Sequence, residues 1–122
     1  MKINNNEYGG FIVSKNIIDG HPIRYSFREK SSIRQLNGWN LLSIIDDDAY
    51  VNDSSNFVVL NAESIYKISP VVLEIFDAPY GTDLCWLYEK GVLVGFYDLT
   101  QNKETDIDGI LEGKPSKKDH AE

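Results

Sequence analysis

The sequence is poor in the residues that carry most site chemistry: one cysteine, Cys85, and two histidines, His21 and His120, in 122 residues. A lone cysteine closes no internal disulfide, which fits a reducing compartment. No Cys/His set has the spacing of a zinc site. A Cys–His or Ser–His pair has to use one of the two histidines. His21 sits in a turn before Pro22 and His120 in the C-terminal stretch, so both read as exposed loop residues and no catalytic residue is assigned. Cys85 falls inside a strand and reads as a buried core thiol. Gly9-Gly10 is not followed by Gly-Lys-Ser/Thr, and no Gly-x-Gly-x-x-Gly occurs, so phosphate-loop signatures are missing. No apolar run approaches the ~20 residues of a membrane helix. The first residues, Met1-Lys2-Ile3-Asn4-Asn5-Asn6-Glu7, lack the apolar segment of a secretory signal. The expectation is a cytoplasmic chain with no cofactor, no metal and no membrane association.

What is present is the make-up of one globular domain: 42% hydrophobic and 25% charged residues, with a formal net charge of −7. A chain of this size closes one hydrophobic core without disulfides or metals. The charge is unevenly spread. Residues 1–45 hold six Lys/Arg against three acids, a net of +3; residues 46–103 hold ten acids against three lysines, a net of −7; residues 104–122 hold six acids against three lysines, a net of −3. An acidic total argues against nucleic-acid binding, which needs a basic footprint. The acidic half steers a basic partner.

Along the chain, residues 1–8 read as an N-terminal lead. Phe11-Ile12-Val13-Ser14 is a short strand. Asp19-Gly20 marks a turn, and Ile23, Tyr25 and Phe27 alternate with Arg24, Ser26 and Arg28. That period of two predicts a hairpin over 11–28, with Arg24 and Arg28 on its wet face. Asn37-Gly38 reads as a second turn. Trp39 to Ile45 reads as a central strand covered on both faces, and Asp46 to Asn56 as a long polar loop. Phe57-Val58-Val59-Leu60 reads as a buried strand. Two short helices follow, the first capped by Asn61 and carrying Ile65, Tyr66 and Ile68. The second opens with Ser69-Pro70 and runs to about Phe76. A hairpin of Asp83 to Glu89 and Val92 to Tyr97 turns at Lys90-Gly91, with Leu84, Trp86 and Tyr88 on one face. Trp39 and Trp86 read as core. From Thr100 the pattern dissolves into a mobile acidic tail, 100–122. The fold class is α+β over 9–99: a mainly antiparallel sheet of about five to six short strands, with one or two short helices between the fourth and fifth.

The chemistry that remains is acidic and aromatic. Four aspartates and no Lys or Arg lie between Asp46 and Asn56. Asp46-Asp47-Asp48 with Asp53 lacks the alternating acids, the glycine and the closing glutamate of a calcium loop, so no metal is assigned. Tyr50, a tyrosine among carboxylates, has the composition of an interface anchor with a charged rim. Packing onto the sheet is the plainer reading.

Several segments together resemble a known family. They are Gly10-Phe11-Ile12-Val13-Ser14-Lys15; Ile23-Arg24-Tyr25-Ser26-Phe27-Arg28-Glu29; Asn37-Gly38-Trp39 with Ser43; Tyr50-Val51-Asn52-Asp53-Ser54-Ser55-Asn56; and Asp77-Ala78-Pro79-Tyr80-Gly81-Thr82. In order, over about residues 9–97, they look like the bacterial immunity-protein family numbered thirty-three. Two stretches depart from its pattern: Ile44-Ile45 after the tryptophan strand, and Asp83-Leu84-Cys85-Trp86 after Gly81-Thr82. The resemblance implies an α+β domain that neutralises a toxin of a bacterial polymorphic toxin system. The expected partner is a cognate toxin protein, a basic nuclease domain being one fit. The expected toxin-binding residues are Asp46, Asp47, Asp48, Tyr50 and Asp53, with Asp77 and Tyr80 as a second edge. The alternative is a regulatory domain that binds a small molecule or peptide on the aromatic face of its sheet.

Overall fold

Short polar side chains start most of the helical turns. The computed structural model describes residues 3–112. Asn4 caps α1 (Asn5–Tyr8) by accepting from the Asn6 N–H, and β1 (Gly10–Ser14) follows. Ser14 ends β1 and caps α2 (Lys15–Ile18). Strands β2 (Ile23–Arg28) and β3 (Leu36–Ser43) come next, then α3 (Asp48–Val51), a 3-10 turn at Ser54–Asn56 and β4 (Phe57–Leu60). Asn61 caps α4 (Ala62–Ile68), and Pro70 sits in the first turn of α5 (Pro70–Glu74). Strands β5 (Asp83–Glu89), β6 (Val92–Asp98) and β7 (Lys103–Thr105) and helix α6 (Ile107–Leu111) complete the described chain.

Among the described residues seven strands form one sheet in the order β4-β1-β3-β2-β5-β6-β7. Only β1 and β3 pair in parallel; the other neighbours are antiparallel. The α+β class therefore stands. Helices α2, α4, α5 and α6 pack on one face, where Ile17, Ile65, Val72, Ile75 and Ile110 meet Phe11, Trp39, Leu41, Leu84, Trp86 and Phe96 in a single core. The other sheet face is left open along much of its length.

The β5–β6 hairpin forms as read, with Lys90 and Gly91 both at positive φ, the two-residue turn that matches strand twist. Four other readings are corrected. Residues 11–28 are not a hairpin: α2 lifts the chain off β1, and β3 inserts between β1 and β2. Asn37-Gly38 is not a turn but lies inside β3, where two residues of β1 span four of β3. Gly38, at φ 93°, forms that bulge, and a Cβ there would collide with the Glu29 carbonyl. Phe57–Leu60 is an edge strand, not a buried one, and Val59 is 60% exposed. The tryptophan strand ends at Ser43, leaving Ile44 and Ile45 exposed.

Ile23 is in the core as read, but beyond it the faces of β2 are the reverse of the alternation read from sequence. Ser26, not Phe27, points into the core, where it accepts a hydrogen bond from Trp86 Nε1 at 2.8 Å. A small residue there makes room for the indole. Arg24 is the extra residue at a register shift against β3, which lets Ile23 turn inward while Tyr25 and Phe27 face the open side. Arg24 and Arg28 spend their donors on backbone: Arg24 on the Trp86 carbonyl, Arg28 on those of Asn37, Phe76 and Ala78. Guanidinium groups tolerate this because their stems are apolar and their donors find acceptors. Cys85, expected in the core, is half-buried on the open face.

The folded part also extends past residue 99, where a mobile tail was expected to begin. β7 pairs with β6, and Ile110 of α6 is buried against the core. Asp106 caps α6 through the Gly109 N–H. The rest of that expected tail, residues 113–122 with His120, lies outside the described residues. A chain of residues 1–99 should therefore lose at least ~1.5–3 kcal/mol for Ile110 alone relative to the full chain. Urea unfolding of the two checks this, and equal midpoints would contradict it.

Candidate functional site

The acidic segment 46–56 is two linked helical turns folded back on the open face, not a loose loop. Its first carboxylate is its fastener. Asp46 accepts from the Ser43 N–H at 2.7 Å, the Ser43 hydroxyl at 2.6 Å and the Asn16 amide at 2.8 Å. Partial burial pushes this carboxyl up, but those hydrogen bonds outweigh it and hold the group below its ordinary value. A folded-state pKa below the unfolded one stabilises the fold above about pH 4, and that contribution fades as pH falls through the folded value. Asp46→Asn should cost about 1–3 kcal/mol at pH 7. The gap to wild type in thermal melting should narrow toward pH 3; a gap independent of pH would show that the charge is not what matters.

Tyr50 is likewise turned inward. Its ring lies 6.1 Å from that of Phe57, and its hydroxyl meets the Ser14 hydroxyl and the Asn56 carbonyl. The Asn56 amide returns a bond to the Tyr50 carbonyl at 2.8 Å, locking the two turns together. The remaining acids face solvent. Asp47 caps α3 through the Tyr50 N–H, Asp48 stands in its first turn, and Asp53 caps the 3-10 turn. Hydrogen bonds from the Ser55 hydroxyl and N–H hold Asp53 below the usual carboxylate range, so it keeps its charge.

Asp77 and Tyr80 do not join this group. Both are exposed in the turn between α5 and β5. Tyr80 is 50% exposed, and its ring lies 4.7 Å from the Arg28 guanidinium, which also stacks on Phe76 at 4.8 Å. Tyr80 abuts Gly38 near the start of β3, whereas Asp46 grips Ser43 at its end. Five residue steps of strand separate them, about 16 Å. The expected residues thus form two edges at opposite ends of β3.

Between those ends lies a feature that sequence reading missed. Ile12, Phe27, Asn40, Leu42 and Phe57, from four strands, form the floor of a groove of about 470 Å³. Val51, Asn52 and Ser54 of the acidic segment form its wall. The available signal was Phe27, which the Tyr25/Phe27 alternation marked but assigned to the wrong face. Elsewhere, among the described residues, no group of three or more His, Cys, Asp or Glu is placed to hold a metal ion. No helix among them is long and apolar enough to cross a membrane.

The groove thus has an apolar floor beside a segment rich in carboxylates. The family model described as the immunity protein Imm33 domain matches residues 11–96, and the chain belongs to that family. No curated protein and no solved structure matches it.

Proposed function

We propose that this chain is a cytoplasmic bacterial immunity protein that binds a cognate toxin and neutralises it by covering its active site or surface, with no catalysis of its own. Membership of the immunity family over residues 11–96 is the observation that carries the reading. Exposed Asp47, Asp48 and Asp53 supply the charged edge, with Asp77 and Tyr80 as a second edge. Asp46 and Tyr50 hold the first edge in shape. Carboxylates in this role speed encounter with a basic cleft, such as that of a nuclease, and a desolvated aromatic adds affinity.

Growth of bacteria expressing the cognate toxin domain tests the reading. Co-expression of the chain should restore growth, and growth arrest despite soluble, abundant chain would overturn it. A second reading, a regulatory domain for a small molecule or peptide, is favoured by the groove, whose volume falls within the roughly 300–1,000 Å³ of ligand sites.

A further inference from the structure

We propose that the open-face groove receives an extended segment of the toxin in which a large apolar side chain is flanked by lysine or arginine. This deepens the immunity reading and rests on it. The lining is the first reason. No charged side chain lines the groove; Ile12, Phe27, Leu42 and Phe57 make an apolar floor, with Asn40, Asn52 and Ser54 as the polar groups. Among the described residues the Asn52 and Ser54 side chains make no hydrogen bond, so they remain to meet an incoming backbone.

The charges around it are the second reason. Asp53 stands between wall residues Asn52 and Ser54, and Asp48 stands one turn earlier on α3. At the far end Asp83 is paired directly across from Phe27 and shares its face. An apolar floor with carboxylates at both ends fits an apolar centre between two cations. The same charges repel phosphate groups and carboxylates. Third, the groove is open along the sheet's edge. β4 pairs with β1 alone, and Val59 beside the groove is mostly exposed, so an extended chain can enter lengthwise.

Other occupants fit less well. A second copy meeting this one across a two-fold axis sets acid rim against acid rim. The chain's own residues 113–122 carry three lysines but no large apolar side chain.

The test titrates the isotope-labelled full chain with three synthetic pentapeptides and follows its amide resonances. The first is Lys-Lys-Phe-Lys-Lys; the second has Ala for Phe; the third has Glu for every Lys. The first should shift the amides of Ile12, Asn40, Leu42 and Asn52 saturably, and the other two should bind at least about tenfold more weakly. Asp48→Asn with Asp53→Asn should weaken the first peptide by about tenfold, and Asn52→Arg with Ser54→Arg, both at exposed positions, should abolish its binding. No saturable shift at millimolar peptide, shifts mapping elsewhere, or equal binding of the Ala peptide would overturn the proposal. So would a 1–112 chain binding the first peptide tenfold more tightly than the full chain, which would give the groove to the chain's own end. Toxin protection separates the two readings. If wild type protects and the Asn52→Arg/Ser54→Arg chain protects equally, the groove proposal fails while the immunity reading stands. If wild type does not protect, the immunity reading fails and takes the toxin segment with it.

Discussion

Replacing Trp39 or Trp86 by alanine should lower the unfolding free energy by about 3–5 kcal/mol each, the largest single-residue losses expected in this domain. Both indoles are almost fully buried, and each holds more than its own volume. Trp39 Nε1 donates to the Phe76 carbonyl at 3.1 Å, and the Arg28 guanidinium lies 5.9 Å from its ring. Removing it opens a cavity beneath the segment that carries Asp77 and Tyr80. Trp86 lies edge-on to Phe96 at 5.2 Å and donates to the Ser26 hydroxyl. Its loss leaves a buried hydroxyl short of a partner as well as a void. For a domain whose total stability is roughly 5–15 kcal/mol, either change should shift the urea midpoint far below that of wild type. A variant as stable as wild type that no longer bound its partner would move that tryptophan from the core to the interface.

The second large effect should be kinetic. Asp47→Asn, Asp48→Asn and Asp53→Asn together remove three exposed charges and keep shape, because asparagine caps helical turns about as well as aspartate. Asp46 stays, since its carboxylate serves two donors of Ser43 and the Asn16 amide. Stability should change by less than about 1 kcal/mol, while the association rate with the toxin at low salt should fall about 10–100-fold. The wild-type rate should itself decline as salt shortens the screening length to about 8 Å; the triple variant should respond far less. Tyr50→Ala should act on both rates, because it unpins the wall that holds Asp47, Asp48 and Asp53. Unchanged association of the triple variant at low salt would reduce the segment to a solvated connection and move the interface elsewhere.

The features legible in the sequence are those set by near neighbours in the chain. Asn61 caps α4, Pro70 opens α5, and Lys90-Gly91 turns the β5–β6 hairpin, each through contacts within a few residues. The errors fall where distant partners decide. Asn37-Gly38 has the local chemistry of a turn, yet β1 pairs alongside it and the glycine becomes a bulge in a strand. Arg24 and Arg28 look like solvent-facing residues until the carbonyls of Trp86, Phe76 and Ala78 arrive to receive their donors. Ser26 looks like the wet side of β2 until Trp86 fills the space above it. The C-terminal stretch looks too polar to order, yet one isoleucine and one capping aspartate dock α6. The candidate site divides the same way. Its charge is plain from four aspartates in eleven residues. That Asp46 and Tyr50 face inward, and that four strands converge on a groove, follows only from pairing across the sheet.

The most direct measurement titrates the purified cognate toxin domain with the purified chain and follows toxin activity. Activity should fall linearly and vanish near one equivalent of chain, with the Asn52→Arg/Ser54→Arg chain needing a large excess. Toxin activity undiminished at many equivalents of folded wild-type chain would contradict neutralisation by binding.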